Sequence, residues 1–273
     1  MDMLDIYTDY LICQNKHATA TGLSEMVDGE FSHDKVTRFL RHNSFDSKML
    51  WAYVKPAVRE RETQSGVLIL DDSIEDKPYT DENEVNCWHY SHAKGDVVKG
   101  INFLSCMVRY GDFSVPIGYE IIKKDIQYSD IKTRQLRRKA TINKNQIFRQ
   151  LIQQACTNHV LFEWVLADNW FGSKANMKFV HDELQKSFIF GIKSNRTLAL
   201  SENDAKNDQY QQVRSLELEE DVVYKVWLKG LTFPVQLLKK VFKNENGTTG
   251  ALYLVSNDMH CSAERLYEVY QKQ

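Results

Sequence analysis

Hydrophobic positions follow a helical period over the first sixty residues of the chain. Residues 19–29, 33–43 and 49–61 are predicted to form three short amphipathic helices. Ser32 stands directly before the second of them, where a side-chain hydroxyl can cap the first free N–H groups of a helix. Two short helices joined by a turn are typical of DNA-binding helix-turn-helix motifs and also of ordinary helix packing. The pattern leaves both interpretations open.

The period changes after residue 65 to short apolar runs that are typical of strands. Residues 67–71 predict a buried strand, and two further runs flank Tyr110-Gly111-Asp112 as a hairpin. The later elements are predicted as a helix over 143–158, a strand over 162–168, a helix over 173–184 that Ser173 could cap, and a strand over 187–193. A hairpin followed by alternating helices and strands predicts an α/β fold with a mixed sheet flanked by helices.

The pattern also divides the chain into regions. Residues 198–251 break the alternation with polar turns and β-type runs, so they are interpreted as a β-rich insertion. The predicted regions are an N-terminal helical and candidate DNA-binding region at 1–62, a catalytic core at 63–197, the insertion at 198–251, and a last core strand with the start of a helix at 252–273.

Composition narrows the class of protein. The chain has 273 residues, of which 42% are hydrophobic, and a formal net charge of −2. Five scattered cysteines, no apparent signal peptide and no long apolar run predict a reduced, cytoplasmic protein without a membrane partner. Charge is segregated, however: seven carboxylates fall within residues 71–84, and nine basic residues fall within 123–149. The runs are either solvated faces or an acidic site flanked by surfaces for a polyanion.

Two aspartates stand where predicted strands end. Asp71 and Asp168 would meet at the carboxyl edge of an open sheet, where ligands bind. Clustered carboxylates suit Mg²⁺ or Mn²⁺, and a pair of such ions can stabilise a phosphoryl displacement. Alternatively, each Asp is only a turn or cap residue. Asp71 and Asp72 are adjacent, and adjacent strand side chains point to opposite faces, so only one of the two can face the site directly.

Other site types have weaker support in the sequence. Cys87, His89 and His92 lack the paired spacing of a zinc site, and their segment is interpreted as a polar turn before a strand. There is no phosphate-binding loop, dinucleotide fingerprint or nucleophile elbow. Trp170 and Phe171 are interpreted as core or site-wall residues. A two-carboxylate hydrolase of small phosphate esters is a further hypothesis, although nothing in the sequence builds a small-molecule pocket.

Three segments together resemble a known family. Residues 68–108, 165–180 and 188–196 are similar to bacterial insertion-sequence transposases of the DDE class, IS-four type, which have a ribonuclease H-like core. The resemblance implies strand cleavage and transfer at transposon ends, with two Mg²⁺ or Mn²⁺ ions in an intact family member. It also implies Asp71 and Asp168 as the first two metal ligands. Asp72 is the second choice to Asp71, because the first Asp of the family commonly stands in an Asp-x-Ser/Thr pattern at the end of the first strand, and Asp71-Asp72-Ser73 fits that pattern.

The third ligand of this family is a Glu in a helix, within a Tyr-x-x-Arg-x-x-x-Glu pattern. Tyr270 matches the start, but Gln273 stands at the Arg position, and the Glu would come four residues past residue 273. Glu268 and Glu264 lie nine and thirteen positions before it and face elsewhere on a helix of about 100° per residue. The resemblance therefore implies a chain truncated before its third catalytic carboxylate and inactive as it stands, or a remnant that only binds DNA.

The resemblance also implies the partners. Double-stranded DNA of the transposon terminal repeats is the expected substrate, a homodimer is a candidate assembly, and the expected location is the bacterial cytoplasm and nucleoid. The candidate DNA-binding residues are the basic side chains of Lys132, Arg134, Arg137, Arg138, Lys139, Lys193 and Arg196.

Overall fold

The fold is taken from a computed structural model that describes residues 2–15, 17–91, 94–243 and 247–273. The chain divides into two compact units, Met1–Met49 and Leu50–Gln273, and each is described by itself. Within the described residues, no helix is both long enough and apolar enough to span a bilayer.

The first unit is helical. Its helices are α1 (Met3–Cys13), α2 (Ala20–Met26) and α3 (His33–His42). The Ser32 hydroxyl accepts a hydrogen bond from the N–H of Lys35, which confirms the predicted cap. Tyr10, Leu23 and Val36 form a small buried core. A fourth helix, α4 (Ser47–Arg61), begins in this unit and continues into the second.

The second unit is built on one large sheet. Its strands are β1 (Val67–Asp76), β2 (Asn86–Ser91), β3 (Asp96–Tyr110), β4 (Phe113–Ile121), β7 (Trp164–Ala167), β8 (Ser187–Ile192), β9 (Thr197–Ala199), β10 (Gln211–Gln212), β11 (Val223–Leu228), β12 (Val235–Lys243) and β13 (Thr249–Ser256). They are ordered β10-β9-β11-β12-β13-β8-β7-β1-β3-β2, and β4 also pairs with β3. The pairs β1–β7 and β7–β8 are parallel and the others are antiparallel. The predicted mixed sheet is therefore confirmed.

Shorter elements complete this unit. A separate hairpin joins β5 (Ile126–Ser129) to β6 (Leu136–Lys139). The helices are α5 (Lys144–Thr157), α6 (Lys174–Lys178), α7 (Glu202–Lys206) and α8 (Ala263–Tyr270), with a π-helical turn at Phe179–Glu183 and a 3₁₀ turn at Val213–Ser215.

Helices cover both faces of the sheet. The side chains of β1 alternate between these two faces. Leu68 and Leu70 belong to the larger core, which also contains the buried face of α5. Val67 and Ile69 belong to a second core on the opposite face, together with buried residues of α8. This alternation decides where the residues that follow on β1 can point.

Residues 198–251 are rich in β-structure, as expected. Their strands continue the main sheet, since β13 pairs with β8, β12 with β13, and β11 with β12. The interpretation of this segment as an insertion, and the bounds of the four predicted regions, remain predictions.

The segment around Cys87 differs from the expectation. A polar turn was predicted there, and this was wrong: residues 86–91 form β2 and pair along their full length with β3. Cys87 and His89 point inward and are buried, whereas Trp88 and Tyr90 are about half-exposed. Polar residue types on the buried face hide the alternation that normally reveals a strand. His92 lies outside the described residues.

Candidate active site

The register of two parallel strands places the two predicted aspartates side by side. Leu70 of β1 is paired with Ala167 of β7. Asp71 directly follows Leu70, and Asp168 directly follows Ala167. Paired residues on neighbouring strands lie about 5 Å apart and point to the same face. Both aspartates line one open groove of about 560 Å³. The structure therefore brings the two side chains together, as the sequence predicts.

The groove exists because β7 ends before β1 does. β7 stops at Ala167, whereas β1 continues to Asp76 while paired only with β3. The free side of residues 71–76 becomes the groove wall, together with Tyr90, Ser91 and Lys94. Ligands commonly bind at such an opening beyond the carboxyl ends of parallel strands.

Alternation along β1 separates Asp71 from Asp72. Asp71 follows Ile69 on the α8 face, and Asp72 follows Leu70 on the α5 face. The carboxylate of Asp72 lies 2.5 Å from the Lys144 ammonium and accepts a hydrogen bond of 3.0 Å from the Asn102 amide. Because Asp72 is held in an ion pair, Asp71 remains the first choice for the site.

Close backbone packing fixes Asp168 and the loop after it. A Cβ at Gly191 of β8 would lie 2.8 Å from the backbone nitrogen of Asn169. Only glycine therefore lets the loop after Asp168 pass so close to β8 at this residue. A Cβ at Gly172 would lie 2.1 Å from the Gly191 carbonyl oxygen. Asp168 also accepts a 2.9 Å hydrogen bond from the Trp170 N–H, so its interpretation as a turn residue holds as well.

The end of α8 approaches the two aspartates. Burial, with the nearby charges of Asp168 and Asp71, raises the pKa of the Tyr270 hydroxyl to about 12. Glu264 and Glu268 line a different groove, with Asp221 and Lys240, and Glu268 accepts a hydrogen bond from Arg265. Neither glutamate lies in the groove of Asp71 and Asp168, in agreement with the helical spacing.

Comparison with known proteins identifies the class of this chain. The family described as DDE superfamily endonuclease matches residues 1–216. The chain belongs to the DDE superfamily endonucleases. No curated protein matches it. Among solved structures it is similar to the NurA nuclease from Sulfolobus solfataricus, with 7% identity, 80% coverage of each chain and a TM-score of 0.31.

Membership in this family changes how the fold and the groove are interpreted. A mixed sheet with helices on its faces is consistent with the ribonuclease H-like fold of DDE nucleases. Nucleic acid is the substrate class that the family implies, and DDE nucleases generally use divalent metals.

The residues of the groove fit a divalent ion bound by two carboxylates. Burial raises the pKa of Asp71, and the negative charges of Asp168 and Asp72 raise it further, against a hydrogen bond from the Asp72 N–H. A cation between Asp71 and Asp168 would relieve that repulsion. Mg²⁺ commonly takes one or two carboxylates and completes its shell with water and substrate phosphate. Within the described part of the chain, no group of three or more acidic, His or Cys side chains could hold a metal.

Positive charge and an aromatic ring stand beside the carboxylates of this DDE endonuclease. The ammonium groups of Lys193 and Lys144 lie 5.1 Å and 5.8 Å from the centre of the Trp170 ring. Trp170 is 43% exposed, whereas Phe171 is fully buried and stacks on Phe148 of α5. Phe171 is therefore a core residue, one of the two interpretations that the sequence offered, and a site-wall role for the half-exposed Trp170 stays a prediction.

The predicted DNA-binding residues fall into two places. Five of them belong to the β5–β6 hairpin and its turn, namely Lys132, Arg134, Arg137, Arg138 and Lys139. Lys193 follows β8 beside Trp170. Arg196 is half-buried and donates a hydrogen bond to the Gly172 carbonyl, so it supports the loop that carries Asp168.

Sequence reasoning missed three contributors to this site. Lys144 was counted only as one of many basic residues, although its pairing with Asp72 orders the first turn of α5. Gly191 carries no local turn signal, and its role depends on a crossing loop. Tyr90 of β2 lines the groove, and the mistaken turn at residues 86–91 concealed it. Each depends on a contact between distant segments.

Proposed function

We propose that this chain is a DNA transposase of an insertion sequence, in which Asp71 and Asp168 hold divalent metal during strand cleavage at transposon ends. The observation that supports this most directly is the parallel register of β1 and β7, after which both carboxylates enter one groove. Mg²⁺ or Mn²⁺ is the proposed ion. The proposed partner is double-stranded DNA of the terminal repeats, bound by a homodimer.

The groove offers the groups that phosphodiester hydrolysis needs. In the reaction, a water oxygen attacks phosphorus, and the bond from phosphorus to the 3′ oxygen breaks. A bound divalent ion would stabilise the charge on the attacking and leaving oxygens. Asp71 and Asp168 would hold this ion, and the backbone contact with Gly191 keeps Asp168 in position. Lys193, beside Trp170, favours the approach of a phosphate by charge.

The proposed path of the DNA backbone follows the basic hairpin. Lys132 and Arg134 are exposed in the turn between β5 and β6, and Lys139 is exposed on β6. Each lysine or arginine that neutralises a phosphate adds to affinity and makes binding weaker at higher salt. The helix pair of the first unit is a second proposed DNA contact, and its helix-turn-helix role stays a prediction.

A second candidate function is DNA binding without cleavage. It is favoured by the carboxylate count, because within the described residues no third acidic side chain joins Asp71 and Asp168. Glu75 lines the same groove but lies four strand positions, or about 13 Å, from Asp71. The third carboxylate implied by the family resemblance, and the truncation before it, remain predictions.

Metal binding, DNA binding and cleavage can be measured separately. Tb³⁺ bound at the groove should luminesce through energy transfer from Trp170, which is two residues from Asp168 and donates its backbone N–H to that carboxylate. We expect Asp71→Asn and Asp168→Asn to lose this signal and Glu264→Gln, a matched control whose side chain lines a different groove, to keep it. Circular dichroism would verify that each variant is folded.

Cleavage is then tested on labelled duplex DNA with Mg²⁺ or Mn²⁺. Nicking that disappears in Asp71→Asn and Asp168→Asn but persists in Glu264→Gln supports the transposase function. Salt-dependent retardation of DNA without nicking favours the binding-only function. If folded protein gives neither nicking nor retardation at low salt, both functions are refuted.

A further inference from the structure

A second cavity opens beside the carboxylate groove. It has a volume of about 770 Å³ and lies between β2 and the β5–β6 hairpin. Three aromatic and three basic side chains dominate its wall: Trp88, Tyr90, Tyr128, Lys124, Arg137 and Arg138. The volume is within the range of about 300–1,000 Å³ that is usual for small-ligand sites. A cavity with this lining fits a ligand that combines flat rings with negative charge.

The aromatic side chains present unusually large exposed surfaces. Trp88 is 52% exposed, Tyr90 55% and Tyr128 38%. Trp88 and Tyr90 are two positions apart on β2, so both rings leave the same face of the strand, while His89 between them is buried. Large exposed rings gathered around one cavity, and not scattered over the surface, mark a binding site.

Hydrogen bonds hold the wall of the cavity in place before any ligand arrives. Glu82 accepts a 3.1 Å hydrogen bond from the Trp88 indole N–H, and its other oxygen lies 3.3 Å from the Arg138 guanidinium. The Lys124 ammonium donates to the Trp88 carbonyl. One acidic side chain faces three basic ones in this wall, so the cavity carries net positive charge.

The cavity and the carboxylate groove share a wall. Tyr90 lines both of them. A nucleic-acid strand whose phosphate lies at Asp71 and Asp168 can therefore reach the cavity by passing one side chain. The two neighbouring sites carry opposite charges and therefore suit different ligands. The acidic groove suits a cation, and the basic, aromatic cavity suits bases with their phosphates.

We propose that this cavity binds unpaired nucleotides of the DNA substrate, next to the position of cleavage. Bases stack on Trp88, Tyr90 and Tyr128, and phosphates meet Arg137 and its basic neighbours. Stacking on protein rings requires bases that have left the double helix, since paired bases present only their edges and backbone to a protein. Aromatic rings along a positive groove are the usual way to hold single-stranded nucleic acid. The proposal rests on the proposed function, because it takes DNA as the substrate.

The test is a binding measurement without metal. Fluorescein-labelled oligothymidine of about 8 nucleotides and a duplex of the same length are titrated with full-length protein in EDTA, by anisotropy. We expect Trp88→Ala and Tyr128→Ala each to weaken binding of the single strand about 5- to 150-fold, which is the range for loss of one stacked base. Trp88→Phe should retain most of the affinity because its ring still stacks.

Tyr79→Ala is the matched control, since Tyr79 is fully exposed and lines neither cavity nor groove. Tyr128 lies on the small β5–β6 hairpin, so its variant keeps the test valid if Trp88→Ala fails to fold. A loss confined to the single strand supports the proposal. It is overturned if both alanine variants bind single strand like the wild type, or lose single-strand and duplex binding equally.

The outcome is independent of cleavage, because the measurement is repeated in Asp71→Asn, which is expected to lack metal. Failure of the proposed nuclease chemistry then leaves single-strand binding intact in that variant. Failure of the cavity proposal leaves metal binding and nicking in place while the aromatic variants show no defect in oligothymidine binding.

Discussion

The buried imidazole of His89 gives a quantitative prediction about stability in acid. His89 is 5% exposed, and its Nε2 lies 3.3 Å from the Cys87 sulfur. Burial, followed by the positive charges of Lys124 and Lys144, lowers the pKa of His89 to about 4. We predict that His89→Gln makes the free energy of unfolding less sensitive to acid, since glutamine takes up no proton.

The magnitude follows from the two protonation equilibria. In the unfolded chain the imidazole binds a proton near its ordinary pKa of 6.5, whereas in the folded chain it does so only near 4. The unfolded state therefore binds more protons as the pH falls from 6.5 towards 4, and the folded state loses stability over that window. A difference of about 2.5 units corresponds to about 3 kcal/mol between neutral pH and pH 4.

Urea unfolding, followed by tryptophan fluorescence at pH steps from about 7 to about 4, measures this effect. The difference in unfolding free energy between wild type and His89→Gln should shift by about 3 kcal/mol in favour of the variant across that range. His260→Gln, at an exposed position, controls for the loss of a histidine as such. If the unfolding free energies of the wild type and of His89→Gln change in parallel with pH, His89 is not kept neutral by its surroundings.

Three further substitutions test the packing and the charge of the site. Gly191→Ala should destabilise the protein by about 1–3 kcal/mol in urea and weaken Tb³⁺ luminescence, because the new Cβ pushes against the loop of Asp168; unchanged luminescence would contradict this. Phe148→Ala should cost about 3–5 kcal/mol, since the ring is fully buried against Phe171; a loss below about 1 kcal/mol would refute the packing argument. Asp71→Asn should raise the melting temperature in EDTA, because it removes a carboxylate whose ionisation is opposed by burial and neighbouring charge. The same variant should show no rise in melting temperature when Mg²⁺ is added. A lower melting temperature in EDTA would count against that repulsion.

Much of the sheet could be predicted from local pattern. Residues 67–70 and 164–167 are continuous buried runs, and such runs are typical of parallel central strands with both faces covered. Ser32 and Ser173 cap helices as their positions indicate. The strand β2 escaped prediction because Asn86, Cys87 and His89 fill its buried positions with polar types or sulfur. Hydrophobic alternation cannot reveal a strand whose inner face is polar.

Part of the candidate site was also predictable from local pattern. Asp71 and Asp168 follow strands, so topology alone brings them to one edge of the sheet. The sequence resemblance already favoured Asp71 over Asp72, but which face of β1 each side chain leaves became visible only with α5 and α8 on opposite sides of the sheet. The aromatic cavity joins β2 to the β5–β6 hairpin, and no spacing along the chain indicates that these segments meet.

The paired register of β1 and β7 has a consequence for how this protein can diverge. Main-chain hydrogen bonds set the distance between the Asp71 and Asp168 positions, so replacing surface side chains or lengthening outer loops leaves that spacing unchanged. The basic side chains of the β5–β6 hairpin and the exposed rings of β2 project from strands that are themselves paired, so they can be replaced without changing that spacing. Descendants of this sequence can therefore acquire new DNA preferences while inheriting the same pair of carboxylates.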